Sequence, residues 1–407
     1  MDALRVLADD LTGACDVGAE LLPGPAGVIV QPTGDGGRMD AAGAISVRNT
    51  QSRTLSAADA AQRVRDALVG VAPGWAGLLL KKIDTGLRGP LGAELDAAME
   101  ALGAEEAFVL PAIPEIGRTT QQGRQMIGGI PVHETPFARD PHHPIRDASV
   151  IGALAATGRR PAALLDLEAV RGDLPGAIAA ARARGAEVLV CDAETDADLE
   201  RAVRVMLLRR RPLLLVGSTG LARALRRVLG TEIPPRRPRA VGPAPLGGDG
   251  ILVVAGSAHP ATRAQVDRAR ERGLVTTVVV QDPAQAEDAG VEASRHLRAG
   301  AAAVLVPPVE RADSAALLAA LRRAALTAFA RARPDGLVLI GGETGYHVLE
   351  GLGLPDLWLE TRLCPLVVRG RLMAGPYAGL AVVTKGGSAG APDLVGAIVR
   401  QLARGAV

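Results

Sequence analysis

The sequence predicts an α/β protein with two doubly wound domains, mainly parallel sheets and an active site in the interdomain cleft. A chain of 407 residues is longer than a single domain with one hydrophobic core usually is. Short apolar runs alternate with helical patterns along the whole chain. A segment rich in Pro and Gly interrupts this alternation at 233–250. We therefore expect an N-terminal domain at 1–232, a linker at 233–250 and a C-terminal domain at 251–407.

The composition excludes several function classes. Hydrophobic residues make up 48% of the chain and charged residues 22%, which is ample for buried cores. Aromatic residues are only 2%, which argues against surfaces that stack on bases or sugar rings. The formal charge of +2 gives no global attraction to nucleic acid or to an anionic membrane. We therefore expect neither as a partner, and any anion site must be local.

The cysteines and the N-terminal sequence favour the cytoplasm. Cys15, Cys191 and Cys364 are odd in number and far apart, with neither metal spacing nor a disulfide framework. The chain goes from Met1 straight into a strand-like segment that lacks signal-peptide character. No apolar run approaches the roughly 20 residues of a membrane span.

The first apolar run, at 4–8, is followed by Asp9, Asp10, Thr12 and Gly13. Doubly wound folds present catalytic groups at such strand ends. A plainer alternative is that Asp9 or Asp10 merely caps the following helix.

The rest of the first half repeats this design. Further strands are predicted at 28–30, 43–47, 78–80, 108–110, 164–167, 188–190 and 213–216. Helices are predicted at 57–69, capped by Ser56, and at 91–102. A long polar loop follows the 108–110 strand and extends to about residue 141, and loops of this length are often functional.

Charged residues crowd the ends of the N-terminal strands. Cations there suit a small anionic substrate, because Arg matches carboxylate geometry, and a carboxylate there could accept a hydroxyl proton. Besides the two aspartates, the residues concerned are Arg48, Arg53, Lys82, Asp84, Arg88 and Arg118.

The second half places small residues at three strand ends instead. Strands are predicted at 251–254, 275–280, 304–306, 337–340, 366–368 and 380–383, with helices at 314–332 and 393–402. Glycines let a turn approach a phosphate, and the following helix N-terminus adds positive potential. The ends concerned are Gly256-Ser257, Gly341-Gly342-Glu343-Thr344-Gly345 and Lys385-Gly386-Gly387-Ser388-Ala389-Gly390.

Together, the two halves suggest phosphoryl transfer from a polyphosphate to a small acid across an interdomain cleft. Neither a Walker A motif nor a GxGxxG fingerprint occurs, so the protein is neither a P-loop kinase nor a simple dinucleotide enzyme.

The ordered motifs resemble those of the four-carbon acid sugar kinases almost from end to end. The matching segments are Ala8-Asp9-Asp10-Leu11-Thr12-Gly13-Ala14, Lys82-Ile83-Asp84-Thr85-Gly86-Leu87-Arg88-Gly89, Gly117-Arg118-Thr119-Thr120, 134–141, Gly217-Ser218-Thr219-Gly220-Leu221-Ala222, Gly256-Ser257, Gly341 to Thr344 and Lys385-Gly386-Gly387.

The resemblance implies an acid-sugar-binding N-terminal domain and a nucleotide-binding C-terminal domain. It also implies ATP with Mg²⁺ and phosphorylation of the terminal hydroxyl of threonate, erythronate or 3-oxo-tetronate. The nucleotide contacts that it implies are Ser257, Gly341, Gly342, Glu343, Thr344 and Gly387, to which the glycine turns add Gly256, Lys385 and Gly386. The substrate side that it implies is lined by Asp9, Asp10, Arg53, Lys82, Asp84 and Arg88, to which the strand ends add Thr12, Arg48 and Arg118.

Some positions depart from the family pattern. Thr85-Gly86 replaces a frequent Ser-Thr, Pro90 replaces a frequent Asn, and the turn at 387–390 replaces Gly-Asn-Phe-Gly. Asp10 or Asp9 is the favoured base, because the glycine after Thr12 lets the backbone approach the substrate. Asp84 is the competitor, and the sequence assigns no metal ligand.

Two other readings stay open on the sequence alone. A nucleotide-dependent oxidoreductase would use the glycine turns as cofactor loops, although a GxGxxG with its ribose-binding acid is missing. A cytosolic sugar-acid sensor would bind without turnover. A homodimer is kept as a hypothesis.

Overall fold

The computed structural model describes residues 4–22, 28–32, 45–71, 75–140, 143–230, 248–308 and 314–404. The chain divides into two compact units, Met1–Val28 with Thr33–Arg236 and Ile29–Pro32 with Arg237–Val407. Most of the predicted linker at 233–250 lies outside the described residues, and its last two residues belong to a strand that begins at Asp249. The predicted α/β class is confirmed in both units.

The first unit contains a parallel sheet of seven strands. In spatial order these are β3 (Ile45–Asn49), β1 (Leu4–Ala8), β4 (Leu78–Lys82), β11 (Leu213–Gly217), β5 (Ala107–Leu110), β10 (Val188–Cys191) and β9 (Ala162–Leu165). The chain passes from β1 to β3 on one side and to β4 on the other, so β1 is the topological switch point. Ligands of doubly wound sheets bind beyond the strand ends at such a point.

The helices of the first unit are α1 (Leu11–Glu20), α2 (Ala57–Leu68), α3 (Leu91–Leu102), α4 (Val150–Ala155), α5 (Leu167–Arg171), α6 (Leu174–Ala183), α7 (Asp196–Met206) and α8 (Thr219–Leu229). The α2 helix begins as predicted, because the Ser56 hydroxyl accepts from the N–H of Asp59, and α3 has the predicted bounds. One sheet face packs against α2 and α3 through side chains such as Leu79, Val64 and Leu95.

Two predictions for the first unit were wrong in detail. The strand expected at 164–167 is β9, which ends at Leu165, because Asp166 caps a helix that begins at Leu167. The long polar loop contains a small antiparallel sheet of β6 (Arg118–Gln121), β7 (Arg124–Ile127) and β8 (Ile130–Pro131). Short 3₁₀ turns at Pro114–Ile116, Val132–Glu134 and Pro136–Arg139 flank it.

The sheet of the second unit has five parallel strands and an antiparallel edge. In order these are β13 (Thr276–Val279), β14 (Ala303–Val306), β12 (Asp249–Ala255), β15 (Pro334–Ile340), β18 (Ala381–Lys385), β17 (Val367–Leu372) and β16 (Leu357–Cys364). The chain leaves β12 toward β14 on one side and toward β15 on the other, so β12 is the switch point here. The strand β16, which pairs antiparallel with β17, was not predicted.

The helices of the second unit are α9 (Pro260–Glu271), α10 (Ala286–Arg298), α11 (Ser314–Arg331), α12 (Gly342–Gly351) and α13 (Leu394–Ala403). Val253, Ile340 and Val383 of the sheet share a buried cluster with Val266 of α9 and Ile398 of α13. The short strand β2 (Val28–Gln31) falls largely within residues 29–32 of this unit. Within the described ranges, no helix combines the length and apolar content that a membrane span requires.

Candidate functional site

The end of β1 holds two carboxylates against one guanidinium. Arg53 Nε donates to Asp9 Oδ2 at 2.8 Å, and Arg53 Nη2 donates to Asp10 Oδ1 at 2.6 Å. Asp10 is also the N-cap of α1, accepting from the N–H of Gly13 at 2.9 Å, and its other oxygen accepts from the Thr12 hydroxyl at 2.6 Å. The capping alternative is therefore correct for Asp10, but the cap also faces a buried cation.

Lys82 joins this group from the neighbouring strand. A Cβ on Gly13 would lie 2.4 Å from Asp10 Oδ1 and 2.9 Å from Lys82 Nζ. A glycine at position 13 therefore makes room for a carboxylate and an ammonium, and the closer approach of the backbone to a substrate stays a prediction. Lys82 Nζ also donates to the carbonyl of Ile83 at 2.8 Å. We call Asp9, Asp10, Thr12, Arg53 and Lys82 the Asp9 cluster.

Asp9 is fully buried and firmly ionised. Burial alone would raise its pKa, but the charges of Arg53, Lys82 and Lys81 hold that pKa below its usual value. Among the described residues, Asp9 Oδ1 is a buried oxygen without a hydrogen-bond partner. A buried carboxylate oxygen that accepts nothing is costly, which is typical of a functional site.

The end of β4 supplies a second charged group. Arg88 donates to Asp84 through Nε at 2.6 Å and through Nη2 at 3.2 Å, and its Nη1 donates to Asp140 at 2.9 Å. Burial would raise the pKa of Asp84, but the guanidinium groups of Arg88 and Arg53 hold that pKa well below its usual value. The influence of Arg53 shows that this group adjoins the Asp9 cluster.

The Phe137 ring lies beside two guanidinium groups, with Arg88 at 4.9 Å and Arg118 at 5.8 Å from its centroid. Arg118 also donates to the Thr85 hydroxyl. Burial lowers the pKa of Arg118, although the negative charge of Asp84 opposes that change. We call Asp84, Arg88, Arg118, Phe137 and Asp140 the Arg88 cluster, and it suits an anionic ligand.

The structure does not bring Arg48 to these clusters. β3 continues to Asn49, so Arg48 lies inside the strand, 2% exposed, and its Nη1 donates to the carbonyl of Ala67 at 3.1 Å. That carbonyl belongs to the last turn of α2, where a cation is favourable. The structure therefore favours a packing role for Arg48 over the predicted substrate contact.

A buried ion pair beneath the Asp9 cluster was not predicted. Lys81 Nζ lies 3.2 Å from Glu94 Oε1, and both side chains are 1% exposed. Ser52 donates to the same oxygen. Burial raises the pKa of Glu94, and the negative charge of Asp9 adds to that rise. Nothing in the local sequence distinguishes Lys81 from Lys82, since both come at the end of one apolar run.

In the second unit, the three predicted turns converge beyond β12. A Cβ on Gly256 would lie 2.2 Å from Thr344 Oγ1, and a Cβ on Gly387 would lie 2.1 Å from Ser257 Oγ. Gly341 adopts a φ of +103° and lies beside Ser257, with its own Cβ position 3.4 Å from that side chain. A side chain at Gly256 or Gly387 would collide with the neighbouring turn, whereas position 341 needs glycine because of its positive φ.

Lys385 lies beneath its turn, with its ammonium toward the backbone. Its side chain is fully buried, and Nζ donates to the carbonyls of Gly386 at 3.0 Å and Gly387 at 3.4 Å. Burial lowers the pKa of Lys385 to about 8. The positive charge therefore reaches the turn through the peptide groups of Gly386 and Gly387.

The N-terminus of α12 lies at the second of these three turns. Gly341 is its N-cap, and Gly342 and Glu343 form its first turn. Thr344 is 3% exposed, and Glu343 lies 3.9 Å from His347 one turn later. The first N–H groups of such a helix are a favourable place for phosphate oxygens.

Two side chains of α9 that the sequence analysis did not assign to the site also contact these turns. The Thr262 hydroxyl donates to the Gly387 carbonyl at 2.9 Å, and Gln265 Nε2 lies 2.9 to 3.0 Å from the carbonyls of 389–391. Gln265 is 1% exposed, so its amide is buried between α9 and the turn.

No group of three or more His, Cys, Asp or Glu side chains arranged to hold a metal occurs in the part of the chain described above. Mg²⁺ usually keeps several waters and binds through substrate phosphates and one or two carboxylates.

Two family models match the chain in succession. The sugar-binding N-terminal domain matches residues 4–225, and the nucleotide-binding C-terminal domain matches residues 252–395. The first match contains the Asp9 and Arg88 clusters, and the second contains the three glycine turns.

Several curated proteins are similar over nearly their whole length. A D-threonate kinase of Salmonella typhimurium is 32% identical, with 95% of each chain covered. A D-erythronate kinase of Heliobacterium modesticaldum is 30% identical over 97% of this chain and 95% of its own. A 3-oxo-tetronate kinase of Methylobacterium radiotolerans is also 30% identical, over 98% of this chain and 99% of its own.

Solved structures share the fold at lower identity. A Salmonella typhimurium LT2 protein superposes with a TM-score of 0.76 at 21% identity, covering 98% of each chain. A Haemophilus influenzae protein gives 0.67 at 21% identity, covering 98% of this chain and 99% of its own.

Proposed function

Since the chain belongs to the four-carbon acid sugar kinase family, we propose that it transfers the γ-phosphoryl group of Mg·ATP to the terminal hydroxyl of a four-carbon sugar acid. The acid binds to the first unit and the nucleotide to the second. The observation that supports this most is the pair of switch points. One is surrounded by carboxylates and cations, and the other by glycine turns that suit phosphates.

The acid is held by the cations of the two clusters. Arg88 is fixed by Asp84 and Asp140, and Arg118 by Thr85, so neither must be ordered when the ligand binds. Arg118 is our candidate for binding the substrate carboxylate, because its guanidinium lies beside the same Phe137 ring as that of Arg88. Arg88 would bind a hydroxyl or share the carboxylate.

Asp10 serves as the general base in this proposal. Both oxygens of Asp84 accept from the Arg88 guanidinium, whereas Asp10 Oδ2 accepts from the neutral hydroxyl of Thr12. Asp10 lies at the switch point, and Thr12 and Gly13 fix the direction of its carboxylate.

The nucleotide phosphates lie against the N–H groups of the turns at Gly256-Ser257, Gly341–Thr344 and Gly386-Gly387. Mg²⁺ arrives on those phosphates and neutralises part of their charge. The Lys385 ammonium adds a positive charge behind the third turn.

D-Threonate is the acid that we expect to be used best, because relatives at 32% and 34% identity carry that name. Purified protein is incubated with Mg·ATP and D-threonate, D-erythronate, L-threonate or 3-oxo-tetronate, and ADP release is measured. The ³¹P signal of a terminal phosphate ester is split by two protons, whereas that of an internal ester is split by one. No ADP release with any acid contradicts the proposal. Nicotinamide-dependent oxidation of an acid would favour an oxidoreductase, and tight binding without turnover would favour a sensor.

The phosphoryl donor, ATP, indicates the cellular compartment of the reaction. ATP is supplied in the cytoplasm, where we place the reaction. A homodimer is our hypothesis for the assembly, and light scattering at working concentration tests it.

A further inference from the structure

The turn after β18 is held from behind by one helix. Thr262 and Gln265 are one helical turn apart on α9, and both are buried. Thr262 donates to the carbonyl of Gly387 at 2.9 Å. Gln265 Nε2 lies 2.9, 3.0 and 3.0 Å from the consecutive carbonyls of Ala389, Gly390 and Ala391.

These contacts determine which way the peptide groups of the turn face. In a trans peptide the N–H points opposite to the C=O. Carbonyls of Gly387, Ala389 and Gly390 that face α9 therefore direct the N–H groups of Ser388, Gly390 and Ala391 to the other side. Gly390 has a φ of +84°, which lies in the left-handed region. A residue in that region next to right-handed residues lets successive N–H groups point into one anion-binding concavity.

The arrangement requires a donor at Gln265. Its Oε1 is buried without a hydrogen-bond partner among the described residues, so the amide cannot be reversed without bringing an acceptor against three carbonyls. A buried acceptor left without a partner is unfavourable. The unfavourable burial of Oε1 is maintained because Nε2 of the same amide holds the turn in place.

We propose that Gln265 and Thr262 are positioning residues for the nucleotide. They hold the 387–391 turn in the conformation that binds phosphate before the ligand arrives, and they do not contact it themselves. A preorganised turn loses less conformational freedom on binding, which raises affinity. This inference rests on the proposed function only in taking the second unit as the nucleotide site.

Gln265→Glu is the most informative variant, because it keeps the side-chain shape and replaces the donor by an acceptor. Thr262→Val removes the other donor, and Thr262→Ser restores it. Gln401→Glu, on the exposed face of α13, is the matched control for added charge. Each full-length variant is titrated with Mg·ADP by calorimetry, and its KM values for ATP and for the acid are measured.

We expect Gln265→Glu to weaken Mg·ADP binding and to raise the KM for ATP by roughly tenfold or more, with the KM for the acid within about twofold of wild type. Thr262→Val should show a smaller loss that Thr262→Ser reverses, and Gln401→Glu should behave as wild type. A folded Gln265→Glu protein with unchanged Mg·ADP affinity would overturn the inference. If that variant does not fold, unchanged affinity in Thr262→Val overturns it instead.

The test separates this inference from the proposed function. A wild-type protein that binds Mg·ADP but phosphorylates no acid would refute the kinase proposal, and the affinity ratios of the variants would still decide the role of Gln265. A wild-type protein that binds no Mg·ADP would overturn the inference itself.

Discussion

Gly86 and Phe137 occupy adjoining space so closely that a single methyl group on Gly86 would collide with the ring. A Cβ there would lie 2.6 Å from two carbons of Phe137 and 2.8 Å from Asp84 Oδ2. The ring in turn lies against Arg88 and Arg118. Gly86 is therefore part of how the two guanidinium groups are positioned.

We expect Gly86→Ala to lower the free energy of unfolding by about 1 to 3 kcal/mol, as overpacking usually does, and to raise the KM for the acid. Denaturant unfolding and steady-state kinetics measure the two effects. In a Phe137→Ala background most of the destabilisation by Gly86→Ala should disappear. An equal cost in both backgrounds would show that the ring is not the cause.

Asp10→Asn should reduce kcat by roughly 100-fold or more, because an amide cannot accept the hydroxyl proton. Asn caps a helix about as well as Asp, but the substitution also removes the charge that pairs with Arg53, so thermal unfolding should move to a lower temperature. Asp173→Asn is the control, since Asp173 caps α6 in the same way by accepting from Gly176. Wild-type turnover in a folded Asp10→Asn protein would remove Asp10 from the role of base.

Arg88→Ala should raise the KM for the acid by about tenfold or more, because a charge-assisted contact is lost. Arg160→Ala is a matched control: both side chains are 24% exposed and both pair with carboxylates. Steady-state kinetics with the acid varied at saturating ATP measure the change. An unaltered KM for the acid would contradict the assignment of Arg88.

The pH dependence of nucleotide use should reflect Lys385. Burial lowers its pKa to about 8, so the ammonium charge is lost above that pH and kcat/KM for ATP should fall. The free energy of unfolding should change in the opposite direction to kcat/KM, rising as the pH rises. Between about pH 8 and 10.5 the unfolded chain binds the proton that the folded chain has released, so this group makes unfolding less favourable as pH rises.

Rates measured from pH 6.5 to 9.5 test this expectation. Lys385→Met, which has no titrating group, should have lower ATP affinity and should lack the decline above pH 8. If the decline persists unchanged in Lys385→Met, another group causes it.

Continuous apolar runs were sufficient to predict most of the parallel strands. Such strands are buried on both faces, so their sequences are apolar throughout. β16 was missed because Glu360, Thr361 and Arg362 interrupt its apolar sequence, as an antiparallel strand allows. β6 and β7 were missed because Arg, Thr and Gln dominate them. The family indicated by the ordered motifs is confirmed by the matches along nearly the whole chain.

The site could be predicted where chemistry follows a strand directly, as with Asp10 and Arg53. Phe137 and Asp140 could not be assigned, because their partner Arg88 lies about fifty residues earlier in the chain. Arg263 lies two residues before Gln265 and Asp267 two residues after it. Charged residues so close in sequence are typical of a solvated helix face, so the burial of Gln265 could not be predicted. Arg48 was expected just past a strand end because the strand was predicted to end at residue 47, whereas β3 ends two residues later, at Asn49.

The contacts between α9 and the turn after β18 bear on which positions of that turn can change between related sequences. Thr262 and Gln265 bind main-chain oxygens, which every amino acid provides, so these contacts do not depend on the side chain at 388. Ala389, by contrast, is buried in the hydrophobic core of the second unit, where a larger side chain would disturb the packing. A related sequence can therefore exchange residue 388 next to the nucleotide while the main-chain contacts that hold the turn are kept.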